Sequence, residues 1–217
     1  HRHRNIRKVL RDSKTKTKTR SFTMIKLPNC TLICISGLDY QTKENMEAIK
    51  KSCEGIEFGA VKYIQDGKIK NIDDWNFSVI YDLPKYVETS HALFIHGDSW
   101  VIHPELWDDE WLKLDFIGSP WPLPRWKGEF EDTLGRVQRV GNSVSLRSKR
   151  LMDLVATQPM EYHYGNNNED GQICIWLRAW LEKQGMKFAT FEQALKFGRE
   201  YTMPENKYIK TFLFHEI

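Results

Sequence analysis

The chain has 217 residues, of which 41% are hydrophobic, and a formal net charge of +3 at neutral pH. This length predicts one domain, or one domain with a short extension, and the hydrophobic content is sufficient for a packed core. No apolar run approaches the roughly 20 residues that a membrane-spanning helix needs, so the sequence predicts no membrane span.

The positive charge belongs to one end of the chain. Residues 1–23 carry nine Lys or Arg and one Asp, a net charge of +8, so residues 24–217 carry −5. We therefore predict a basic N-terminal extension (1–23) followed by one mildly acidic domain (24–217). The extension could bind nucleic acid or anionic lipid, although a solvated leader is the simpler interpretation. The acidic remainder argues against nucleic-acid binding elsewhere.

The first half of the domain alternates strands with helices, as a parallel sheet requires. Apolar runs and helical periods predict strands over 30–36, 58–64 and 91–96 and helices over 42–52 and 73–87. Gly37 ends the first strand, and Thr42 is the expected N-cap of the first helix.

The second half is less regular. The predicted elements are a short helix or turn over 107–114, a brief strand over 116–118, a loop over 120–135, a strand over 140–147, helices over 148–156 and 171–184, and late strands near 187–190 and 194–201. Ser148 is the expected N-cap of the first of these two helices. Together the elements predict an α/β fold, with a mixed, mainly parallel sheet flanked by helices.

The four cysteines, Cys30, Cys34, Cys53 and Cys174, include no Cys-x-x-Cys pair. They therefore predict neither a disulfide framework nor a zinc site. We interpret them as reduced thiols, which favours a cytoplasmic or cytosol-facing location.

A carboxylate follows the strand predicted over 91–96. In open α/β sheets ligands bind beyond the carboxyl ends of strands, and a hard divalent cation takes carboxylate oxygens. We therefore predict a site around Asp98, with a metal; an Asp that caps a turn is the alternative. His96 and His103 flank this loop and could be site residues, but core or turn roles are favoured for both.

Two further groups could carry chemistry. Glu169 and Asp170 begin a predicted helix, where one could act as a general base, although helix capping would also explain them. His215 follows an apolar run near the C-terminus. A neutral imidazole there could ligate a metal, and simple exposure is the alternative.

The segment 141–148 joins small and polar residues to a strand, so its backbone could approach a sugar or phosphate closely. Arg147 could pair with a phosphate, and a structural or surface Arg is the alternative. Five tryptophans could stack on sugars, although core or loop packing is favoured for most of them: Trp100, Trp107, Trp111, Trp121 and Trp126. No phosphate-binding loop or dinucleotide fingerprint is present.

Seven sequence blocks resemble, in order and spacing, a family of mostly uncharacterised glycosyltransferase-like domains with a GT-A-type fold, which implies a Rossmann-like nucleotide-binding half. The resemblance covers residues 28–216, and its blocks are Asp98, 104–110, 116–121, 141–148, 169–170, 197–200 and 212–215. The chain departs from the pattern in two places. The turn at Asp98 holds a single Asp, and residues 141–145 read Gly-Asn-Ser-Val-Ser where the pattern has Gly-Gly-Phe-Ser.

The resemblance implies a nucleoside-diphosphate sugar as donor, Mn²⁺ or Mg²⁺ held by Asp98 and His215, and Asp170, with Glu169 beside it, facing the acceptor. The donor would lie across the ends of the first strand and the strand before Asp98. The residues expected to line its pocket are Ser36, Gly37, Thr42, Asn45, Gly97, Ser99, Asn142 and Arg147.

The leading functional hypothesis is a nucleotide-sugar-dependent glycosyltransferase with a glycan, lipid or protein hydroxyl as acceptor. If the reaction inverts, Asp170 would take the acceptor proton; if it retains, Asp170 would orient a substrate. A catalytically weak sugar- or nucleotide-binding module is the second hypothesis, motivated by the two departures. The third is a nucleic-acid-associated protein that acts through residues 1–23.

Overall fold

The computed structural model describes residues 24–37, 39–160 and 168–215. The basic extension over 1–23 lies outside the described residues, so the prediction made for it stays a prediction.

The described chain contains eight strands and six α-helices. The strands are β1 (Ile25–Ser36), β2 (Ile56–Gln65), β3 (His91–Phe94), β4 (Ser99–Val101), β5 (Phe116–Pro120), β6 (Val140–Ser148), β7 (Gly198–Arg199) and β8 (Leu213–His215). The helices are α1 (Thr42–Ser52), α2 (Ile72–Tyr81), α3 (Lys149–Val155), α4 (Glu169–Gly171), α5 (Arg178–Lys183) and α6 (Phe191–Phe197).

Five strands form the central sheet in the order β2-β1-β3-β6-β5. β1 is parallel to β2 and to β3, β6 is antiparallel to β3, and β5 is antiparallel to β6. Four strands therefore run in one direction and β6 opposes them. The predicted α/β fold with a mixed, mainly parallel sheet is confirmed.

β1 begins five residues before the strand that its apolar run predicts. Its first residues pair with β2 alone, and the register shifts between Leu27 and Thr31. Pro28 lies at this irregularity, where a strand tolerates the loss of an N–H donor. Gly59 faces it so closely that a Cβ there would lie 2.1 Å from the Pro28 carbonyl oxygen. The proline breaks the apolar pattern without ending the strand.

Several predicted boundaries are wrong. The N-cap of α1 is Gln41, and Thr42 is the first helical residue. Residues 187–190 form no strand, and Phe188 makes only an isolated bridge to Phe116. The first half of the segment 194–201 is helical, because a capping box at Thr190 starts α6 before it, and only Gly198–Arg199 form a strand there. The predicted N-cap Ser148 is confirmed, since its hydroxyl accepts from the Leu151 N–H.

The helix predicted over 171–184 is interrupted. A π-turn over Gln172–Trp176 separates α4 from α5. Such single turns inside helices occur frequently at functional sites. Here the turn adjoins the two acids of α4, of which Asp170 lines the cleft described below and Glu169 is buried behind it.

The C-terminal strand β8 lies in a second sheet, in the order β4-β8-β7. β8 is antiparallel to β4, and the register matches His215 with Ser99. This pairing holds the last described residue of the chain beside the loop that follows β3. No helix in the described part of the chain is long and apolar enough to cross a membrane.

Close packing also shapes the start of β6. A Cβ on Gly141 would lie 2.0 Å from the Trp121 ring, and a Cβ on Gly118 would lie 1.8 Å from the Gly141 carbonyl oxygen. Glycine is therefore required at both positions by close approach of neighbouring groups. The buried Trp121 ring and the backbone of β5 together fix the position at which β6 enters the sheet.

Candidate functional site

A cleft of about 530 Å³ opens at the carboxyl ends of β1 and β3. The antiparallel β6 begins at the same edge, so residues near its start also reach the cleft. The predicted site residues that line it are Gly37, Asn45, Gly97, Asp98, Asn142, Asp170 and His215.

The loop after β3 is held by Ser99. Its hydroxyl accepts from the backbone N–H of His96 at 2.7 Å and donates to the His96 carbonyl at 3.2 Å. This turn buries the His96 ring edge-on against Trp75 and Phe94 and leaves the Asp98 side chain 55% exposed. Ser99 itself is fully buried and does not line the cleft.

The strand register brings a second histidine to this loop. Nε2 of His215 lies 3.4 Å from Oδ1 of Asp98, and the rings of His96 and His215 meet edge-on with centroids 5.2 Å apart. One potential ligand atom from each of His96, Asp98 and His215 lies within 4.8 Å of the others. We call these three residues the His–Asp–His cluster.

The three groups of the cluster change one another's pKa values. Burial, with the nearby His215, lowers the pKa of His96 to about 3, so the His96 imidazole is neutral at physiological pH. Burial alone would lower the pKa of His215, but the carboxylates of Asp98 and Glu200 raise it. Burial would raise the pKa of Asp98, and His215 lowers it. The cluster therefore contains an ionised carboxylate between two imidazoles.

The donor set fits a divalent transition metal. Two imidazoles and one carboxylate suit a first-row transition-metal ion better than Mg²⁺, which prefers oxygen ligands alone. Nε2 of His96 is buried and has no hydrogen-bond partner in the described part of the chain, so this nitrogen is available as a metal ligand. The cluster thus offers two ring nitrogens and one carboxylate oxygen that could hold a cation.

Asp170 lies in the same cleft, on α4. Burial and the negative charge of Glu169 raise the pKa of Asp170 to about 7. The Asp170 carboxylate accepts a hydrogen bond from the Gly171 N–H at 2.8 Å, which caps the local turn. A carboxyl group with a pKa near the working pH suits general acid–base chemistry.

Glu169 has a different role from its neighbour. Its side chain is fully buried, its carboxylate lies 2.9 Å from Nη1 of Arg147, and it also accepts from the Ser143 hydroxyl. Arg147 donates in addition to the Ser143 carbonyl and to the Ser145 hydroxyl. Arg147, predicted to pair with a donor phosphate, instead pairs with buried groups of the protein itself. Neither Arg147 nor Glu169 lines the cleft.

The buried Arg147–Glu169 pair should contribute strongly to stability. Arg147→Met would leave the Glu169 carboxylate buried without its counter-charge, which costs about 3–5 kcal/mol. Urea denaturation should show this loss in the free energy of unfolding. Lys149→Met, which breaks an exposed pair with Asp153, is the control and should cost about 0–1 kcal/mol. Equal losses in both variants would contradict this role.

The wall near α1 is only partly as predicted. The Asn45 side-chain amide donates to the Tyr63 hydroxyl at 3.4 Å. Asn45 also lies against the backbone of Gly97, because a Cβ on Gly97 would be 2.8 Å from Asn45 Oδ1. Two predicted pocket residues lie behind this wall: Ser36 is buried and donates to Gln41, and Thr42 contacts the Tyr63 hydroxyl.

Several cleft residues are not predicted by the sequence, or are predicted only as an alternative. The sequence favours a core or turn role for His96 over a site role, and it places Glu200 in a block of the resemblance without indicating a role for it. The opposite wall is formed by the segment 69–72 and by Trp75, none of which follows a strand end or carries a motif. Gly37 approaches Ile69 so closely that a Cβ would lie 2.1 Å from its carbonyl oxygen. This contact, together with the hydrogen bond from the Trp75 indole to the Ile35 carbonyl, places the wall at the site.

None of the five candidate sugar-stacking tryptophans lines the cleft. Trp111 and Trp121 are buried in the hydrophobic core, Trp107 packs against Trp111, and Trp100 packs against Phe214. Trp126 is 54% exposed and packs beneath Arg125. The core interpretation favoured for most of these residues is therefore correct.

Comparison with solved structures agrees with this architecture. The chain is similar in fold to a glycosyltransferase involved in the glycosylation of the major capsid of PBCV-1, with a TM-score of 0.53 over 86% of this chain and 91% of that one. The sequence identity is 8%. At this identity the similarity establishes a glycosyltransferase-like fold and nothing finer.

The chain therefore has a glycosyltransferase-like fold with a cleft that gathers two histidines and four acids, namely His96, His215, Glu44, Asp98, Asp170 and Glu200. A family model described as a protein of unknown function (DUF5672) matches residues 61–215. The chain belongs to this family. No curated protein matches the chain.

Proposed function

We propose that this protein is a nucleotide-sugar-dependent glycosyltransferase that moves a sugar from a nucleoside-diphosphate donor to a hydroxyl acceptor. The observation that carries the proposal is the meeting of the His–Asp–His cluster and Asp170 in one cleft, at the strand ends where open α/β sheets bind ligands. The glycosyltransferase-like fold supports the same assignment.

On the donor side, the diphosphate would lie against the His–Asp–His cluster. Mn²⁺ held there would stabilise the negative charge of the leaving diphosphate. The nucleotide would extend between the walls formed by Asn45 and by Trp75, past the Gly37 backbone. The neutral His96 and the ionised Asp98 supply ligands without requiring a proton to leave either group at physiological pH.

On the acceptor side, Asp170 is the proposed general base. Its carboxylate would take the proton from the acceptor hydroxyl as the new glycosidic bond forms, which requires an inverting reaction. Glu169 and Arg147 would act behind it, as a buried pair that fixes the start of α4. The acceptor would be a glycan, lipid or protein hydroxyl.

Ligand-induced thermal stabilisation tests the proposal. We expect one nucleotide diphosphate, or its sugar conjugate, to raise the melting temperature in the presence of Mn²⁺ and much less in its absence. A ligand at about 100 times its dissociation constant should stabilise the fold by about 2.7 kcal/mol. The screen covers nucleoside diphosphates and nucleotide-sugars with each of the common bases, with and without Mn²⁺.

Each alternative predicts a different result, in this screen or in a companion assay of donor turnover or nucleic-acid binding. Stabilisation without any turnover of the donor would favour the sugar- or nucleotide-binding module. No stabilisation by any nucleotide would contradict the transferase proposal. Steeply salt-dependent binding of nucleic acid that disappears on deletion of residues 1–23 would favour the third hypothesis.

A further inference from the structure

The pairing of β7 with β8 places an unassigned acid beside the cluster. The two strands are parallel, and their register matches Arg199 with Phe214. The next residues along both strands, Glu200 and His215, therefore lie side by side, and both line the cleft. Each side chain is only 13% exposed, so water competes little for the contact between them.

The two ring nitrogens of His215 face different carboxylates. Nε2 lies 3.4 Å from Asp98 Oδ1, inside the His–Asp–His cluster, and Nδ1 lies 3.5 Å from Glu200 Oε1. Nδ1 is buried and makes no hydrogen bond within the described ranges, so Glu200 is the acceptor within its reach. An imidazole whose Nδ1–H points at a carboxylate keeps the Nε2 lone pair for a metal ion.

Glu200 is itself held in place from the other side. Its Oε2 accepts a hydrogen bond from the Asn142 side-chain amide. Asn142 has a backbone φ of 80°, a left-handed conformation that Asn tolerates better than most residues, and its Oδ1 accepts from the Val144 N–H at 2.9 Å. A chain of polar contacts thus runs from the backbone of β6 through Asn142 and Glu200 to His215.

We propose that Glu200 is a positioning residue that holds His215 in its Nδ1-protonated tautomer, with Nε2 directed at the metal position of the His–Asp–His cluster. Asn142 fixes Glu200 in turn. The inference deepens the proposed function and rests on it for the metal. It gives Asn142 a task different from the sugar contact that the sequence resemblance implies.

Titration calorimetry with Mn²⁺ alone tests this arrangement on the whole chain. Glu200→Gln should weaken Mn²⁺ binding by about 10–100-fold, the usual effect of removing a partner of a metal-ligating histidine. A Gln at position 200 has only one acceptor oxygen. If that oxygen faces His215, the NH₂ group of the Gln faces the Asn142 NH₂ group, and two donors cannot form a hydrogen bond with each other. Glu192→Gln, an exposed Glu on α6, is the matched control and should bind like wild type.

A charge-conserving swap distinguishes positioning from a general structural role. In the double variant Asn142→Asp with Glu200→Gln, the Asp can accept from the Gln NH₂ group, and the Gln oxygen again faces His215. We expect this double variant to recover part of the lost affinity for Mn²⁺. Nitrogen-15 NMR of the metal-free protein, at a pH high enough for the His215 imidazole to be neutral, should report a larger share of the Nδ1-protonated tautomer of His215 in wild type than in Glu200→Gln.

The outcomes separate this proposal from the proposed function. Unchanged Mn²⁺ affinity and an unchanged tautomer in Glu200→Gln would overturn the role of Glu200, even if nucleotide-sugars bind. If the wild-type protein binds nucleotide-sugars but no Mn²⁺, the role of Glu200 is overturned. The proposal of a metal-independent transferase would remain. Glu200-dependent Mn²⁺ binding without nucleotide binding would support the role of Glu200 and count against the transferase.

Discussion

Asp98→Asn should abolish Mn²⁺-dependent binding of the donor. Asp98 is the one carboxylate of the His–Asp–His cluster, and replacing it with a neutral amide removes the anionic ligand while keeping the size of the side chain. Loss of a direct ligand should exceed the 10–100-fold effect typical of an outer partner, so we expect Mn²⁺ affinity to fall by more than about 100-fold. Calorimetry and the nucleotide-sugar thermal shift both measure the loss.

Asp73→Asn is the matched control for this variant. Asp73 is exposed in the first turn of α2 and lies outside the cleft, so the same chemical change should leave Mn²⁺ binding unaltered. A full Mn²⁺-dependent thermal shift in Asp98→Asn would place the metal elsewhere. A nucleotide-induced shift that never needed Mn²⁺ would keep the nucleotide site and remove the metal from the mechanism.

Asp170→Asn should reduce sugar transfer by about 10²–10⁴-fold, the usual contribution of a general base. The Asn side chain retains the shape of Asp170 but cannot take a proton from the acceptor. Donor binding should survive, because the residues assigned to the metal and the nucleotide are unchanged. Transfer assays at saturating donor, combined with Mn²⁺ calorimetry, separate this loss of turnover from a loss of binding.

The pKa of Asp170 gives that prediction a pH dependence. Burial and Glu169 raise this pKa to about 7, so the wild-type rate should rise with pH through that value as the base loses its proton. The raised pKa also means that the folded state binds this proton more tightly than the unfolded state does. Stability from this group is therefore highest at low pH and falls as the pH rises from about 4 to about 7.

Asp170→Asn removes this destabilisation, since Asn does not ionise. The variant should match wild type in melting temperature near pH 4 and exceed it at pH 8, while being less active. Such a gain in stability with a loss of activity is the mark of a strained functional group. Unchanged turnover in Asp170→Asn, or a melting-temperature difference independent of pH, would contradict the assigned role.

The sequence could predict those parts of the fold that local patterns encode. The run over 30–36 is apolar on both faces of the chain, so only a buried strand accommodates it, and α1 carries a complete helical period. The short strands β7 and β8 have two and three residues. A segment of that length holds no readable period, and its pairing depends on residues more than ten positions away.

Neighbouring residues at the site illustrate the same limit. Glu169 and Asp170 are adjacent acids at a helix start, and nothing in their local sequence distinguishes them. Successive helical residues point about 100° apart, so one faces Arg147 in the interior and the other faces the cleft. Only the position of α4 against β6 decides which acid remains available for chemistry.

The sequence alone determined the α/β class, the strand that delivers Asp98 and the order of the blocks that end in His215. These follow from the identities of residues close together in the chain. The tertiary structure alone decided that His96 and Glu200 join the site, that Arg147 serves Glu169 and that the segment 69–72 forms a wall. The physical reason is that burial and partner choice arise from contacts between distant segments, which no local pattern records.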